Sequence, residues 1–304
     1  MTGRKLEADI LIAGGGLVGG TLACGLAEAG LRVVVVDAQD PKVGLEAAFD
    51  GRASAIALSS KRVFDGLGLW PLMQPETAAI NEIRVSDGDS LFFLHYDRED
   101  VGAEAFGYMV ENRSFRKALD ARFRDFDNLT LAAPATISEF ERTPGDVRAT
   151  LSDGTCVTAR LIVGAEGRRS PTRERAGIKI TNWSYKQTGI VCTVAHELSH
   201  DNVAHEHFLP AGPFAILPLT NNRSSIVWTE RDELVPGIMA LDDEQFLLEL
   251  KNRFGDFLGE LEVIGGRWAY PLSLQYAERD IDHRLALAGD ASHGMHPIAG
   301  QGLN

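Results

Sequence analysis

Residues 9–37 constrain this chain more than any other stretch. An apolar run, Asp9-Ile10-Leu11-Ile12-Ala13, enters Gly14-Gly15-Gly16-Leu17-Val18-Gly19. A small-residue stretch from Leu17 to Gly30 follows, and the β-branched run Val33-Val34-Val35-Val36 ends on Asp37. Strand, glycine turn, helix, second strand and terminal acid in that order predict a βαβ unit with a dinucleotide fingerprint, G-x-G-x-x-G, at its first turn. Gly14 permits the tight turn, Gly16 lets the backbone approach a pyrophosphate, and Gly19 lets the helix pack close to the sheet. The helix opening at Leu17 offers unpaired N–H groups and a partial positive charge to the phosphates. Asp37 is placed to accept hydrogen bonds from a ribose. Two other readings are a glycine turn without a ligand and a membrane span. Ile10 to Ala27 is uncharged but barely long enough to cross a bilayer, and its clustered glycines suit a loop.

With 304 residues the chain exceeds one comfortable core, so one large or two interleaved domains are expected. A net charge of -13 argues against nucleic acid and against strong adsorption to anionic lipid. Cys24, Cys156 and Cys192 are widely spaced and match neither a zinc pattern nor a disulfide framework, which fits a reducing compartment. The cytoplasm is the expected location. The chain stops at Gly300-Gln301-Gly302-Leu303-Asn304, which reads as the opening of a helix, so a C-terminal continuation is expected.

Between these ends the pattern alternates. Gln39 to Asp50 reads as a loop, and Ala53 to Leu67 as an amphipathic helix with Ile56, Leu58, Val63, Phe64 and Leu67 on one face. Arg52, just before it, could clamp a pyrophosphate bidentately or remain a solvated surface group. Strands are expected over Ile80 to Val85 and Ser90 to Tyr96, then a helix from Ser114 to Phe126, then a β-meander over Ala135 to Thr158. A buried strand enters the turn Gly164-Ala165-Glu166-Gly167, a second approach of sheet edge to ligand. Residues 181–271 are strand-rich, with a helix from Asp242 to Phe254 and Asp242 as its N-cap. His205 and His207 would share a strand face, but no metal spacing accompanies them, so a solvated strand edge is the preferred reading and no metal is expected. Near the end an apolar strand delivers Asp290, whose carboxylate could hold a ribityl or ribose hydroxyl, ahead of a glycine turn.

The combination resembles the single-component FAD-dependent aromatic hydroxylases. It rests on the opening glycines, Asp50-Gly51-Arg52, the turn Gly164-Ala165-Glu166-Gly167, and Ala288-Gly289-Asp290-Ala291-Ser292-His293 closing on Pro297 and Gly300-Gln301-Gly302-Leu303-Asn304. Phe49-Asp50-Gly51-Arg52-Ala53-Ser54-Ala55-Ile56, Val110-Glu111-Asn112-Arg113 and Gly212-Pro213-Phe214-Ala215-Ile216-Leu217-Pro218-Leu219 are similar to the ubiquinone-biosynthesis branch. The resemblance implies an α/β architecture, a glutathione-reductase-like, Rossmann-type FAD-binding domain (1–75, 108–180 and 276–304) interleaved with a β-rich substrate domain (76–107 and 181–275). It implies that Gly14, Gly16, Leu17 and Gly19 serve the pyrophosphate and Asp37 the adenosine ribose. Arg52 and Arg113 would sit along the cofactor, Asp290 at the ribityl region, and Gly302, Leu303 and Asn304 against the isoalloxazine. One departure stands out: the family usually has Asp where this chain has Glu166.

The implied activity is hydroxylation of a phenolic ring, a prenylated ubiquinone precursor, with FAD as cofactor, NAD(P)H as electron donor and O2 as co-substrate. Phe208, Phe214, Ile216 and Leu217 are expected either to line an apolar substrate pocket or to form ordinary sheet core. No side chain stands out as a catalytic base. A prenyl-lipid reductase on the same scaffold and a non-enzymatic flavin-binding assembly subunit are the alternatives. A homodimer, a membrane-peripheral position and a place in a biosynthetic complex stay open.

Overall fold

The computed structural model describes residues 4–46, 51–88, 90, 92–300 and 302–304. Phe49, Asp50, Asp89 and Gln301 of the sequence motifs lie outside these. The opening motif folds as strand Ile10–Ala13, helix Leu17–Glu28 and strand Val33–Val36. All four valines are buried, as a parallel strand covered on both faces requires. In the six-stranded sheet Ile10–Ala13 lies between Val33–Val36 and Leu161–Gly164, and Leu161–Gly164 pairs in turn with Leu285–Leu287. Start, middle and end of the chain thus become parallel neighbours, with Gly164 in register with both Ala13 and Leu287. Their carboxyl ends share one edge, where open α/β sheets bind ligands.

The eight-stranded sheet is built differently. Ile180–His196 pairs antiparallel with Arg223–Arg231 on one side and Leu261–Ala277 on the other. Beyond Arg223–Arg231 come Gly212–Leu219, Val203–Leu209, Glu82–Asp87 and the edge strand Phe93–Asp97. One face is closed by helix Asp243–Phe254, whose Phe246, Leu250 and Phe254 pack on Ile190, Phe214, Ile216 and Trp228. Asp242 caps that helix, its carboxylate accepting from Gln245 N–H at 2.8 Å. The meander forms from Ile137–Arg142, Val147–Leu151 and Cys156–Ala159, with Lys5–Glu7 added in parallel.

Several expected elements differ. Ala53 to Leu67 is not one helix: Ala53–Ala57 is a strand and the helix is Leu58–Gly66. Pairing of Ala53–Ala57 with Gly107–Glu111 overrides the local helical spacing. Ile80 to Val85 is split at Asn81: Thr77–Ile80 joins the three-stranded sheet and Glu82–Asp87 the eight-stranded one. The loop expected over Gln39 to Asp50 carries a helix at Pro41–Glu46. The long strand Leu261–Ala277 shows no clean alternation because Gly265 and Gly266 sit opposite a register shift between Val191 and Thr193. No helix among the described residues is long and apolar enough to cross a membrane.

Candidate functional site

A cavity of about 1360 Å³ runs from the carboxyl edge of the six-stranded sheet to the open face of the eight-stranded one. Gly14, Gly16, Leu17 and Asp37 line it, as do Arg52, Glu166 and Asp290. Gly302, Leu303 and Asn304 line it as well, and the wall formed by the eight-stranded sheet is mostly apolar, with Val85, Ala204, Phe208, Ala215 and Leu217. Of the residues singled out from sequence, Gly19 and Arg113 do not line it. The volume exceeds the usual range for one drug-sized ligand and leaves room for a dinucleotide and a substrate together.

The glycines divide the work at the first turn. Gly14 has φ +98°, and a Cβ there would meet the Ala165 carbonyl oxygen at 2.4 Å. Gly19 faces the turn itself: its Cβ would lie 1.9 Å from the Gly14 carbonyl oxygen. Around Gly16, by contrast, no atom lies within 4 Å of where a Cβ would be, which leaves the space a phosphate would need. Gly16 is also the N-cap of helix Leu17–Glu28; no side chain caps that helix and its first turn holds no acid, so its N–H groups remain available to an anion. Asp37 accepts from Gly15 N–H at 2.6 Å and Gln39 N–H at 2.7 Å, so it also fixes the glycine turn.

The two arginines are brought together by strand pairing. Ala53 lies opposite Glu111, and Asn112 N–H donates to the Arg52 carbonyl at 2.9 Å. Arg52 reaches the cavity; Arg113 lies off it, with a buried Nε that has no hydrogen-bond partner among the described residues. Gly51 has φ +65° and is covered by the Trp268 ring, which a Cβ would approach to 2.1 Å.

At the second turn Glu166 turns back on its own segment. Its carboxylate accepts from Ser170 Oγ at 2.5 Å and Thr172 Oγ1 at 3.0 Å, tying down the start of helix Pro171–Arg175. The longer side chain therefore serves the turn. Asp290 follows Leu285–Leu287 on a single 3-10 turn, Gly289–Ala291. Burial raises its carboxyl above the ordinary value, against the opposing pull of Arg168 and His293. Ile298–Gly300 forms a 3-10 turn. Asn304 Oδ1 accepts from Ala57 N–H at 2.8 Å, and its Nδ2 donates to the carbonyls of Ala55 (2.9 Å) and Gly300 (3.0 Å).

On the sheet side the expectations need correction. Phe208 and Leu217 line the cavity, but Phe214 and Ile216 lie in the core under helix Asp243–Phe254. Strand alternation sends neighbours to opposite faces. His205 and His207 do share a face with stacked rings, 5.9 Å between centroids, but they are half-buried, not solvated. His205 packs on Phe257, and burial lowers its imidazole to about 4. Cys24 and Cys192 are buried thiols pushed up to about 12, and no cysteine lines the cavity. Sequence reading missed Glu206, which lines the cavity between those histidines. The available signal was a lone acid alternating with Ala204 and Phe208 on an otherwise apolar strand face.

Comparison with known proteins now decides the family. The family model described as FAD binding domain matches residues 7–304. The ubiquinone hydroxylase UbiL of Rhodospirillum rubrum is 57% identical over 297 residues, covering 98% of this chain and 69% of that protein. The chain belongs to the FAD-dependent aromatic hydroxylases, in the branch of the ubiquinone hydroxylases. It is an FAD-dependent monooxygenase, and FAD is its cofactor. The 3-demethoxyubiquinol 3-hydroxylase of Escherichia coli is 31% identical over 306 residues, covering 100% of this chain and 77% of that protein. In fold, the p-nitrophenol 4-monooxygenase PnpA of Pseudomonas putida superposes with a TM-score of 0.80 at 18% identity, over 99% of this chain and 76% of that one. The open space at Gly16 and the uncapped helix suit a pyrophosphate-bearing cofactor.

Proposed function

We propose that this enzyme uses NAD(P)H and O2 to hydroxylate the phenolic ring of a prenylated ubiquinone precursor. The observation that carries the reading is the continuity of one cavity from the glycine turn to an apolar sheet face. A dinucleotide held at one end brings its redox ring towards a wall suited to a lipophilic aromatic. The names of the relatives support the substrate class.

In this reading Gly14, Gly16, Leu17 and Gly19 form the pyrophosphate turn, with Gly19 acting through the turn's packing. Asp37 takes the adenosine ribose, Arg52 and Arg113 sit along the cofactor, and Asp290 holds the ribityl chain. Gly302, Leu303 and Asn304 border the flavin ring. Residues 1–75, 108–180 and 276–304 form the FAD-binding unit, and 76–107 with 181–275 the substrate unit. Bound FAD supplies electron transfer from the nicotinamide and activation of oxygen. The chain's own residues orient the ring, keep water from the apolar wall and hold charge at the cofactor. The substrate is a small lipophilic phenol, and its lipophilicity favours a position beside the membrane.

The test is to load the purified chain with FAD and supply NADH or NADPH, O2 and 2-prenylphenol. The expected result is flavin bleaching followed by a product heavier by one oxygen. Bleaching without oxygenated product would point instead to a reductase.

A further inference from the structure

The sheet face that walls the cavity is mostly apolar; its polar positions are Glu206, its strand neighbour His205, and Thr229. Across it, Glu206 lies between Val85 on the parallel neighbour and Ala215 on the antiparallel one, and Ala215 pairs in turn with Val227. All four line the cavity. Along its own strand Glu206 alternates with Ala204 and Phe208, which line it as well; the rings of His205 and His207 stack on each other and His205 packs on Phe257, although His205 also borders the cavity. A carboxyl in such surroundings is costly unless something pairs with it. Glu206 has no hydrogen bond or ion pair among the described residues. Burial alone raises its carboxyl to about 7. The other titratable residues lining the cavity are Asp37, Arg52, Glu166, His205, Asp290 and His296, and none of them contributes to that shift.

The structure assigns to Glu206 the role of polar anchor for the substrate: its carboxylate accepts the hydrogen of the ring hydroxyl, and the prenyl-bearing part of the ring lies on the apolar side chains around it. The anchor fixes which way round the ring lies and so which carbon faces the flavin. It is a positioning residue, and it deepens the hydroxylase reading on which it rests. The ligand it selects is a ring carrying a free hydroxyl, in preference to the same ring without one.

The test measures binding of 2-prenylphenol and of prenylbenzene to the FAD-loaded full chain by titration calorimetry at pH 8. Wild type is expected to prefer the phenol by ten- to a hundred-fold, the range for a hydrogen bond to a charged group. Glu206→Leu should reduce that preference to about threefold or less. Glu206→Gln, the same size and still an acceptor, should keep part of it and shows whether a loss in the leucine variant is local. Lowering the pH from 8 to 6 should shrink the wild-type preference and leave that of Glu206→Gln unchanged. An equal preference in wild type and Glu206→Leu, or no preference in wild type, overturns the anchor. Hydroxylated product is assayed in the same samples. Product formation with an unaltered preference in Glu206→Leu removes the anchor alone. A Glu206-dependent preference without any product removes the hydroxylase reading and leaves the anchor.

Discussion

The two walls of the cavity obey different rules. The cofactor side is made of short parallel strands whose ends are shaped by backbone: Gly14 and Gly19 are there because a Cβ would strike a carbonyl oxygen. The substrate side is made of long antiparallel strands whose backbone tolerates many residues, and its character comes from which side chains alternate onto the open face. One wall is demanding and uniform, the other permissive and adjustable. A scaffold of this kind can keep one cofactor while changing the ring it accepts.

The largest expected effect breaks the demanding wall. Gly19→Ala places a methyl group within 1.9 Å of the Gly14 carbonyl oxygen, and backbone must move to admit it. We expect a loss of about 3 kcal/mol or more and of FAD retention after gel filtration, read from visible absorbance. On the permissive wall the two faces should separate. Ile216→Ala, in the core, should cost about 3 kcal/mol in urea unfolding, whereas Leu217→Ala, facing the cavity, should cost about 1 and mainly raise the KM for a prenylated phenol.

Glu206 gives a smaller effect with a pH signature. Its carboxyl stands at about 7 in the fold against an ordinary 4.5, so between these values the unfolded chain releases the proton first and stability falls as pH rises. The penalty is absent below 4.5 and complete above about 7. Glu206→Gln should therefore stabilise the protein by about 2 kcal/mol at pH 8, allowing for solvent reaching the carboxyl, and by almost nothing at pH 4.5, measured as Tm. The smallest effect is at the helix behind that wall: Asp242→Ala removes the cap on Gln245 N–H and should cost about 1 kcal/mol without changing FAD binding.

The same contrast explains what could be read before folding. Residues 9–37 were legible because glycine turn, small-residue helix and valine strand each allow one local form. Asp242 was legible as a cap for the same reason. Ala53–Ala57 was misread because its partner, Gly107–Glu111, lies some fifty residues on and supplies the hydrogen bonds that periodicity cannot reveal. Phe214 and Ile216 were grouped with Phe208 and Leu217 by hydrophobicity, although alternation puts the two pairs on opposite faces. Glu206 escaped notice because its strand reads as polar when taken residue by residue; its meaning appears only when Val85, Ala215 and Val227 arrive from other strands.

The central claim is that one cavity holds cofactor and substrate between these unlike walls. A crystal structure of the chain with FAD and 2-prenylphenol tests it most directly. The account predicts the pyrophosphate at Gly16, the flavin beside Asp290 and Gly302, and the phenol ring between the flavin and the sheet face of Val85 and Ala215. A phenol bound on any other surface, or a flavin remote from Asp290, would contradict it.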